Sequence, residues 1–111
     1  MMELQNVVDQ MIHTSRRIEK ATQEIFKMAR EKADTEYEYR KALSLEIAKL
    51  KSEGMAVSIL YETAKGNVAD LLHKRDLADA MFKSAIESLR ALQSQLNGLQ
   101  TVSKYQSEIG G

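Results

Sequence analysis

The sequence predicts an all-α protein: a long antiparallel helical hairpin, coiled-coil-like, with a short helix at its tip, assembled into a homo-oligomeric helical bundle. Three observations predict this fold. The 111 residues include no proline, and a proline in a helix interior costs ~3 kcal/mol. Aromatic residues make up 5% and glycine only five positions, which is typical of long helices. Over residues 68–106, a series of mostly apolar or small residues recurs at alternating steps of three and four, the heptad spacing that keeps one seam facing a partner helix.

The first helix is predicted over residues 4–52. Its heptad seam comprises Leu4, Val8, Met11, Ser15, Ile18, Thr22, Ile25, Ala29, Tyr39, Leu43, Ile47 and Leu50. Only Lys32 and Glu36 interrupt this seam. The charged middle of the helix, residues 30–41, mixes both signs, and two interpretations stay open: a solvated face or a partner-binding patch.

The tip of the hairpin is predicted over residues 53–66, with a short helix at 58–65. Gly54 can adopt the left-handed conformation that ends the first helix, and Gly66 is expected to end the short one. Five apolar side chains are concentrated here, and they either plug the end of the hairpin or form a docking surface for a partner protein. They are Met55, Val57, Ile59, Leu60 and Tyr61.

A third helix is predicted over residues 67–106, followed by a frayed tail at 107–111. Asn67 is a suitable N-cap, and Asp70 lies near the positive end of the helix dipole. The seam of this helix comprises Val68, Leu71, Arg75, Ala78, Phe82, Ala85, Leu89, Leu92, Leu96, Leu99, Ser103 and Gln106. We treat residues 1–111 as a single helical domain.

The alignment of the two long helices follows from the assumption that their ends are level, which puts residue i near residue 119 minus i. His73 is then near Glu46 and His13 near Gln106, so the two histidines do not meet and no metal site is expected.

Arg75 lies on the seam itself. We interpret it as a register-setting residue that reaches Glu46 or solvent, with a partner contact as the alternative.

Two helices alone bury only a narrow seam, and small chains rarely gain enough from it to fold independently. Apolar residues beside the seam of the third helix widen its apolar stripe. We therefore expect self-association through this helix, carried by Leu72, Leu77, Met81, Ile86, Leu89 and Leu96.

Charge and composition limit the function classes. Sixteen basic and sixteen acidic residues give a net charge of zero, which disfavours nucleic-acid binding because phosphate contacts require clustered positive charge. A nucleic-acid-binding accessory nevertheless remains an alternative, through a basic row on the first helix. That row comprises Arg16, Arg17, Lys20, Lys27 and Arg30.

The chain contains no cysteine, no apolar run long enough to span a bilayer and no secretory signal at its start. We therefore expect a cytoplasmic protein with no membrane partner. No catalytic, cofactor-binding or nucleotide-binding motif is present, so we expect a protein that is not an enzyme and uses no cofactor. A small all-helical enzyme of the chorismate-mutase type is the weakest alternative, because the spacing of the arginines and lysines does not match that family.

Six short segments of the chain carry a resemblance to known proteins: Glu38 to Leu43, Ile47 to Leu50, Glu53-Gly54, Ala64 to Gly66, Val68-Ala69 and Lys74 to Ala78. They resemble a group of small helical proteins, mostly uncharacterised, that are encoded by tailed phages and prophages of Gram-positive bacteria. That group often has proline after the glycine of the turn, where this chain has Met55 and Ala56. Genes of the group tend to lie among early recombination and replication functions. The resemblance implies a role in phage DNA metabolism or counter-defence, in the cytoplasm of an infected or lysogenic bacterium, and it supplies no catalytic residues.

Two hypotheses of different classes follow. The first is a non-enzymatic phage accessory protein that binds, and in one form inhibits, a host or phage protein through its helical faces or its tip. The second is a nucleic-acid-binding accessory of phage recombination or replication. The sequence does not identify the partner in either case.

Overall fold

A computed structural model describes residues 3–110 of the chain. Over that range the fold is an all-α helical hairpin, as predicted, and contains no strand. Its helices are α1 (Leu4–Ser52), α2 (Val57–Asn67) and α3 (Ala69–Gly110). None of the helices among these residues combines the length and apolar character needed to cross a membrane.

The chain that the sequence treats as one domain is divided by its internal contacts into two compact units. Unit 1 comprises the described residues of Met1–Phe26 and Lys83–Gly111, and unit 2 comprises Lys27–Phe82. Each unit contains a stretch of α1 and a stretch of α3. Unit 2 also contains the turn and all of α2.

The end of α1 is a Schellman motif built on Gly54, which has a φ of 85°. The Met55 N–H donates to the Leu50 carbonyl and the Gly54 N–H donates to the Lys51 carbonyl, each at 3.1 Å. These bonds satisfy carbonyls that the last helical turn leaves without partners, and a residue with a Cβ would be strained at this φ. The prediction that Gly54 ends the first helix is confirmed.

The tip has a small apolar core where α2 packs against the end of α1. Leu50, Leu60 and Ala64 are buried there, and Leu43, Ile47 and Met55 pack against them. Met55 follows the Schellman glycine directly, the position from which a hydrophobic side chain commonly contacts the last turn of the helix. The turn and the core therefore stabilise the same arrangement of α1 and α2.

The junction between α2 and α3 is one residue, Val68, rather than the capped break that the sequence predicts. Its N–H donates to the carbonyls of Ala64 and Lys65, and its own carbonyl accepts from the next helix. Asn67 is the last residue of α2 and its side-chain amide donates to Glu46 Oε1 at 2.9 Å, so its prediction as an N-cap is wrong. Gly66 lies within α2 and does not end it.

The predicted seam of α3 is confirmed, since all twelve of its residues are buried or half-buried. The seam of α1 was read one position off in places. Val7, Thr14 and Thr35 are among its most buried residues, and they repeat at multiples of seven. The Thr35 hydroxyl donates to the Lys32 carbonyl at 3.1 Å, which lets a polar side chain occupy the seam.

The far end of α3 differs from the prediction. The sequence predicts fraying from Ser107, whereas the helix continues to Gly110. Gly111 lies outside the described residues.

The alignment of α1 with α3 in unit 2 differs from the predicted one by one heptad. Ion pairs or hydrogen bonds join Lys32 to Asp79, Glu38 to Lys74 and Glu46 to Asn67. The residue numbers in these pairs add up to 111, 112 and 113 instead of 119. His73 therefore does not meet Glu46, whose carboxylate accepts from Asn67. A seven-residue slip leaves a heptad pattern unchanged, which explains the error.

Candidate functional site

The apolar residues of the tip fall into a buried group and an exposed group. Leu60 is only 2% exposed and belongs to the small core with Leu50 and Ala64, so it plugs the end of the hairpin. By contrast, Val57 is 71% exposed, and Ile59 and Tyr61 are 54% exposed each. The plug and the exposed apolar surface are therefore made by different residues of one short helix.

The geometry of α2 arranges the exposed residues of the tip. Val57 and Tyr61 are four residues apart and share a side of the helix, while Ile59 points to another side. The buried Leu60 and Ala64, themselves four apart, fix the rotation of α2 about its axis. Val57 and Tyr61 therefore form an exposed pair on a helix of fixed orientation. Tyrosine is one of the residues that most often anchor a protein partner.

A second feature lies in unit 2, where charged residues of α1 and α3 pair across the seam. Lys32 Nζ is 3.5 Å from Asp79 Oδ1, Glu36 Oε2 is 3.4 Å from Arg75 Nε, and Lys74 Nζ is 3.4 Å from Glu38 Oε2. Lys32 and Glu36 are the two residues that interrupt the predicted seam. The interruption is therefore a layer of interhelical ion pairs, which sequence reasoning missed because it aligned α3 one heptad away.

Arg75 of this charged layer contacts Glu36, Asp76 and the ring of Tyr39. Its guanidinium lies 4.6 Å from the ring centroid of Tyr39 and pairs with Glu36 and Asp76. The hydrogen bond to Asp76 and the nearby Glu36 carboxylate raise the pKa of Arg75 above its ordinary value, so it remains charged. The expectation that Arg75 sets the register fits these contacts, but its partner is Glu36 and not Glu46.

A groove of about 630 Å³ runs along the charged layer, with Ala29, Ala33 and Phe82 among its lining residues. The Lys32 ammonium lies 5.4 Å from the ring centroid of Phe82. Asp79 pairs with Lys32, and Glu36 pairs with both Arg75 and Arg40. Ion pairs that satisfy each other across a helix seam are typical of residues that fix alignment and not of an acid–base pair.

The residues predicted to carry self-association through α3 lie in three different environments. Leu89 and Leu96 belong to the seam and are half-buried within unit 1. At 100° per residue, Leu72 and Ile86 lie on one flank of the seam, while Leu77 and Met81 lie on the opposite flank. The six residues therefore do not form one continuous face, and self-association through them stays a prediction.

The predicted basic row on α1 is fully accessible but not uniformly positive. Arg16, Arg17, Lys20, Lys27 and Arg30 are all exposed. Glu19 and Glu24 lie between them along the same helix, and Glu31 directly follows Arg30. Charges of both signs reduce the local potential that would attract a phosphate backbone.

The two histidines are both exposed, and among residues 3–110 no group of three or more histidine, cysteine or acidic residues could hold a metal ion. Exposed apolar side chains lie at the tip and on the flanks of the long helices. Comparison of the chain with protein-family models, curated proteins and solved structures found no match.

Proposed function

We propose that this chain is a non-enzymatic phage accessory protein that binds a host or phage protein through its tip, in the cytoplasm of the bacterial host. The observation that carries the proposal is the exposure of Val57 and Tyr61 on one side of α2, beside a Leu60 that is buried. A two-residue or three-residue loop would have joined the helices. An 11-residue helix with an exposed apolar side calls for a further reason, and docking supplies one.

The expected partner presents a shallow apolar pocket that accepts the Tyr61 ring, with Val57 packed beside it. Tyrosine brings a large contact area and a hydroxyl that can form a hydrogen bond at the rim of such a pocket. The resemblance of the sequence to phage proteins favours a host or phage protein as the owner of that pocket.

The test compares two pairs of exposed apolar residues. One variant changes Val57→Ser and Tyr61→Ser at the tip, and its control changes Tyr37→Ser and Leu45→Ser on α1, which are exposed to a similar degree. Both should keep the stability of the unmodified protein to within ~0.5 kcal/mol, because all four side chains are exposed. Each protein is used to capture partners from host lysate, and captured proteins are then purified and titrated.

A partner that binds the unmodified protein and the control, but binds the tip variant at least ~10-fold more weakly, supports the proposal. A partner that the tip variant binds at full affinity contradicts it. A salt series separates the nucleic-acid alternative, since binding to DNA weakens steeply with salt and an apolar protein contact does not. DNA binding that is lost on removing the charges of Arg16, Arg17 and Lys20 would replace the proposal with that alternative.

A further inference from the structure

One asparagine of α3 differs from the other asparagines of the chain in the residue that follows it. The chain contains three asparagines, Asn6, Asn67 and Asn97. Valine follows the first two, and glycine follows only Asn97, at position 98. A β-branched side chain hinders its own backbone nitrogen from approaching the preceding side chain, whereas glycine leaves that nitrogen accessible. Asn97 is therefore the asparagine whose side-chain amide is most accessible to the following backbone nitrogen.

The surroundings of Asn97 and Gly98 let water reach both residues. They are exposed and lie in α3, within unit 1. A Cβ added at Gly98 would meet no atom of the described residues within 4 Å beyond its own stretch of helix, so close packing does not require glycine there. By contrast, the side-chain amide of Asn67 donates to Glu46 Oε1 at 2.9 Å, which restrains that side chain.

The helix protects Asn97 as long as it stays closed. In an α-helix each backbone N–H donates to the carbonyl four residues earlier, which for Gly98 is the carbonyl of Ser94. The helical ψ of Asn97 also keeps the Gly98 nitrogen away from Cγ of the asparagine side chain. A reaction between these two atoms therefore requires α3 to open locally.

Two features weaken α3 at this point. Glycine loses more conformational freedom on folding than any other residue, so Gly98 is unfavourable inside a helix. In addition, the Thr101 hydroxyl donates to the Asn97 carbonyl at 3.1 Å, a bond that slightly destabilises a helix because the hydroxyl competes with the backbone for that carbonyl. Residues 97–101 are therefore expected to open more easily than a helical stretch without these two residues.

We propose that Asn97 is a site of spontaneous deamidation and that local opening of α3 controls its rate. When the helix opens, the Gly98 nitrogen attacks Cγ of Asn97. The new bond between them closes a cyclic imide, the bond from Cγ to the side-chain nitrogen breaks, and ammonia leaves with the proton that the Gly98 nitrogen loses. Water then opens the imide at either carbonyl, which gives aspartate or isoaspartate at position 97. Water is the only co-reactant, and nothing is oxidised or reduced.

Either product alters α3 next to the seam of unit 1. Leu96 and Leu99, on the two sides of the site, are half-buried seam residues. Aspartate adds a negative charge beside them. Isoaspartate adds the same charge and also moves the side-chain methylene into the main chain, so the helical hydrogen bonds across position 97 no longer align. The tip belongs to unit 2, so this inference does not rest on the proposed function.

The experiment incubates the purified chain at neutral pH and follows deamidation at each asparagine by mass spectrometry of tryptic peptides. Trypsin places Asn97 in residues 91–104, apart from the other two asparagines. We expect Asn97 to deamidate at least ~10-fold faster than Asn67, with isoaspartate among its products. Gly98→Ala should lower the rate at Asn97 at least ~10-fold, because the new Cβ hinders the attack and alanine favours the closed helix. Unfolding the chain in urea should raise the rate at Asn97 at least ~10-fold.

Two further variants test whether the opening is local. Gln100→Gly and Ala80→Gly each place a glycine at an exposed position of α3. Gln100 lies three residues from Asn97 in unit 1, whereas Ala80 lies in unit 2. Gln100→Gly should raise the rate at Asn97 about 5-fold, the effect of one unfavourable glycine on helix opening, and Ala80→Gly should leave the rate unchanged.

A rate at Asn97 that does not exceed the rate at Asn67, or that Gly98→Ala does not lower, would overturn the site. Equal increases from Gln100→Gly and Ala80→Gly would overturn the local control, and so would a rate that urea does not raise. Circular dichroism before incubation checks that each variant keeps its helices. If a glycine variant fails to fold, the comparison with Asn67 and the Gly98→Ala and urea measurements still decide the outcome.

Discussion

Within each unit α1 packs against α3, but the two units use different kinds of side chain for this contact. In unit 1 the seam of α3 is apolar over Leu89, Leu92, Leu96 and Leu99, all half-buried. In unit 2 the seam carries ion pairs between α1 and α3, at Lys32 with Asp79 and at Glu36 with Arg75. The aromatic rings of Phe82 and Tyr39 lie against the cations of these pairs.

The difference shows that stability and alignment can be assigned to different stretches of one hairpin. A row of leucines gains free energy from burial, but it accepts a slip of one heptad almost as well as the correct alignment. Opposite charges at fixed positions gain little free energy at a partly exposed seam, yet a slip separates them. Unit 1 should therefore govern the free energy of unfolding, and unit 2 should govern the register.

The largest expected effect is in unit 1. Changing Leu96→Asp places a charge on the apolar seam and should lower the free energy of unfolding by ~3 kcal/mol, because burial is lost and a carboxylate is partly desolvated. Changing Leu77→Asp, on an exposed flank, should lower it by less than ~0.5 kcal/mol. Urea denaturation followed by circular dichroism measures both. Equal losses for the two variants would show that the seam of unit 1 is not the main source of stability.

The next effect is at the tip, where unit 2 has its own apolar core. Changing Leu60→Ala should lower the free energy of unfolding by ~2 kcal/mol, because the removed side chain is buried against Leu50 and Ala64. Its matched control, Ile59→Ala, removes an exposed side chain of the same size one residue away and should cost less than ~0.5 kcal/mol. Thermal denaturation of the two variants tests this. Similar melting temperatures would mean that Leu60 is not a plug.

The sequence predicted what depends on local pattern. The all-α fold, the seam of α3 and the glycine at the end of α1 each depend on residues close together in the chain, and each prediction is confirmed. Thr14 and Thr35 were missed as seam residues because the neighbouring positions, Ser15 and Glu36, were assigned to the seam instead. Their positions at multiples of seven from Val7 were the available signal.

Alignment between the helices could not be predicted in the same way. A heptad pattern repeats every seven residues, so the seams alone allow several registers, and level helix ends selected the wrong one. The pairing of Lys32 with Asp79 and of Glu38 with Lys74 was the missing information. Asn67 illustrates the consequence, since the correct register gives its side chain a partner in Glu46 and removes its role as a cap.

A third change tests the alignment directly. Changing Arg75→Met keeps an unbranched side chain against Tyr39 and removes the pair with Glu36, so the free energy of unfolding should fall by no more than ~1 kcal/mol. A fraction of the molecules should then adopt a second alignment of α1 with α3. Nitroxide labels at Asp34→Cys and Ala80→Cys, both exposed, should then show a second distance population, because a slip of one heptad is ~10 Å along a helix.

The control for this change is Arg40→Met. Arg40 pairs with the same Glu36, but within α1, at 2.6 Å. Like Arg75→Met, Arg40→Met removes one positive charge beside Glu36, but it leaves the contact between the helices intact. The label distances should therefore stay in a single population. A second population in the Arg40 variant, or none in the Arg75 variant, would mean that the ion pairs do not set the register.

The smallest expected effect is the coupling between Lys32 and Asp79. A double-mutant cycle with Lys32→Gln and Asp79→Asn should give a coupling free energy of ~0.2–1 kcal/mol, since both side chains are partly exposed and their charges are screened. The coupling should shrink further at high salt. A coupling well above that range would make the charged layer a source of stability as well as alignment. In that case the contrast between the apolar seam of unit 1 and the aligning seam of unit 2 would fail, because the ion pairs of unit 2 would then also contribute substantially to the free energy of unfolding.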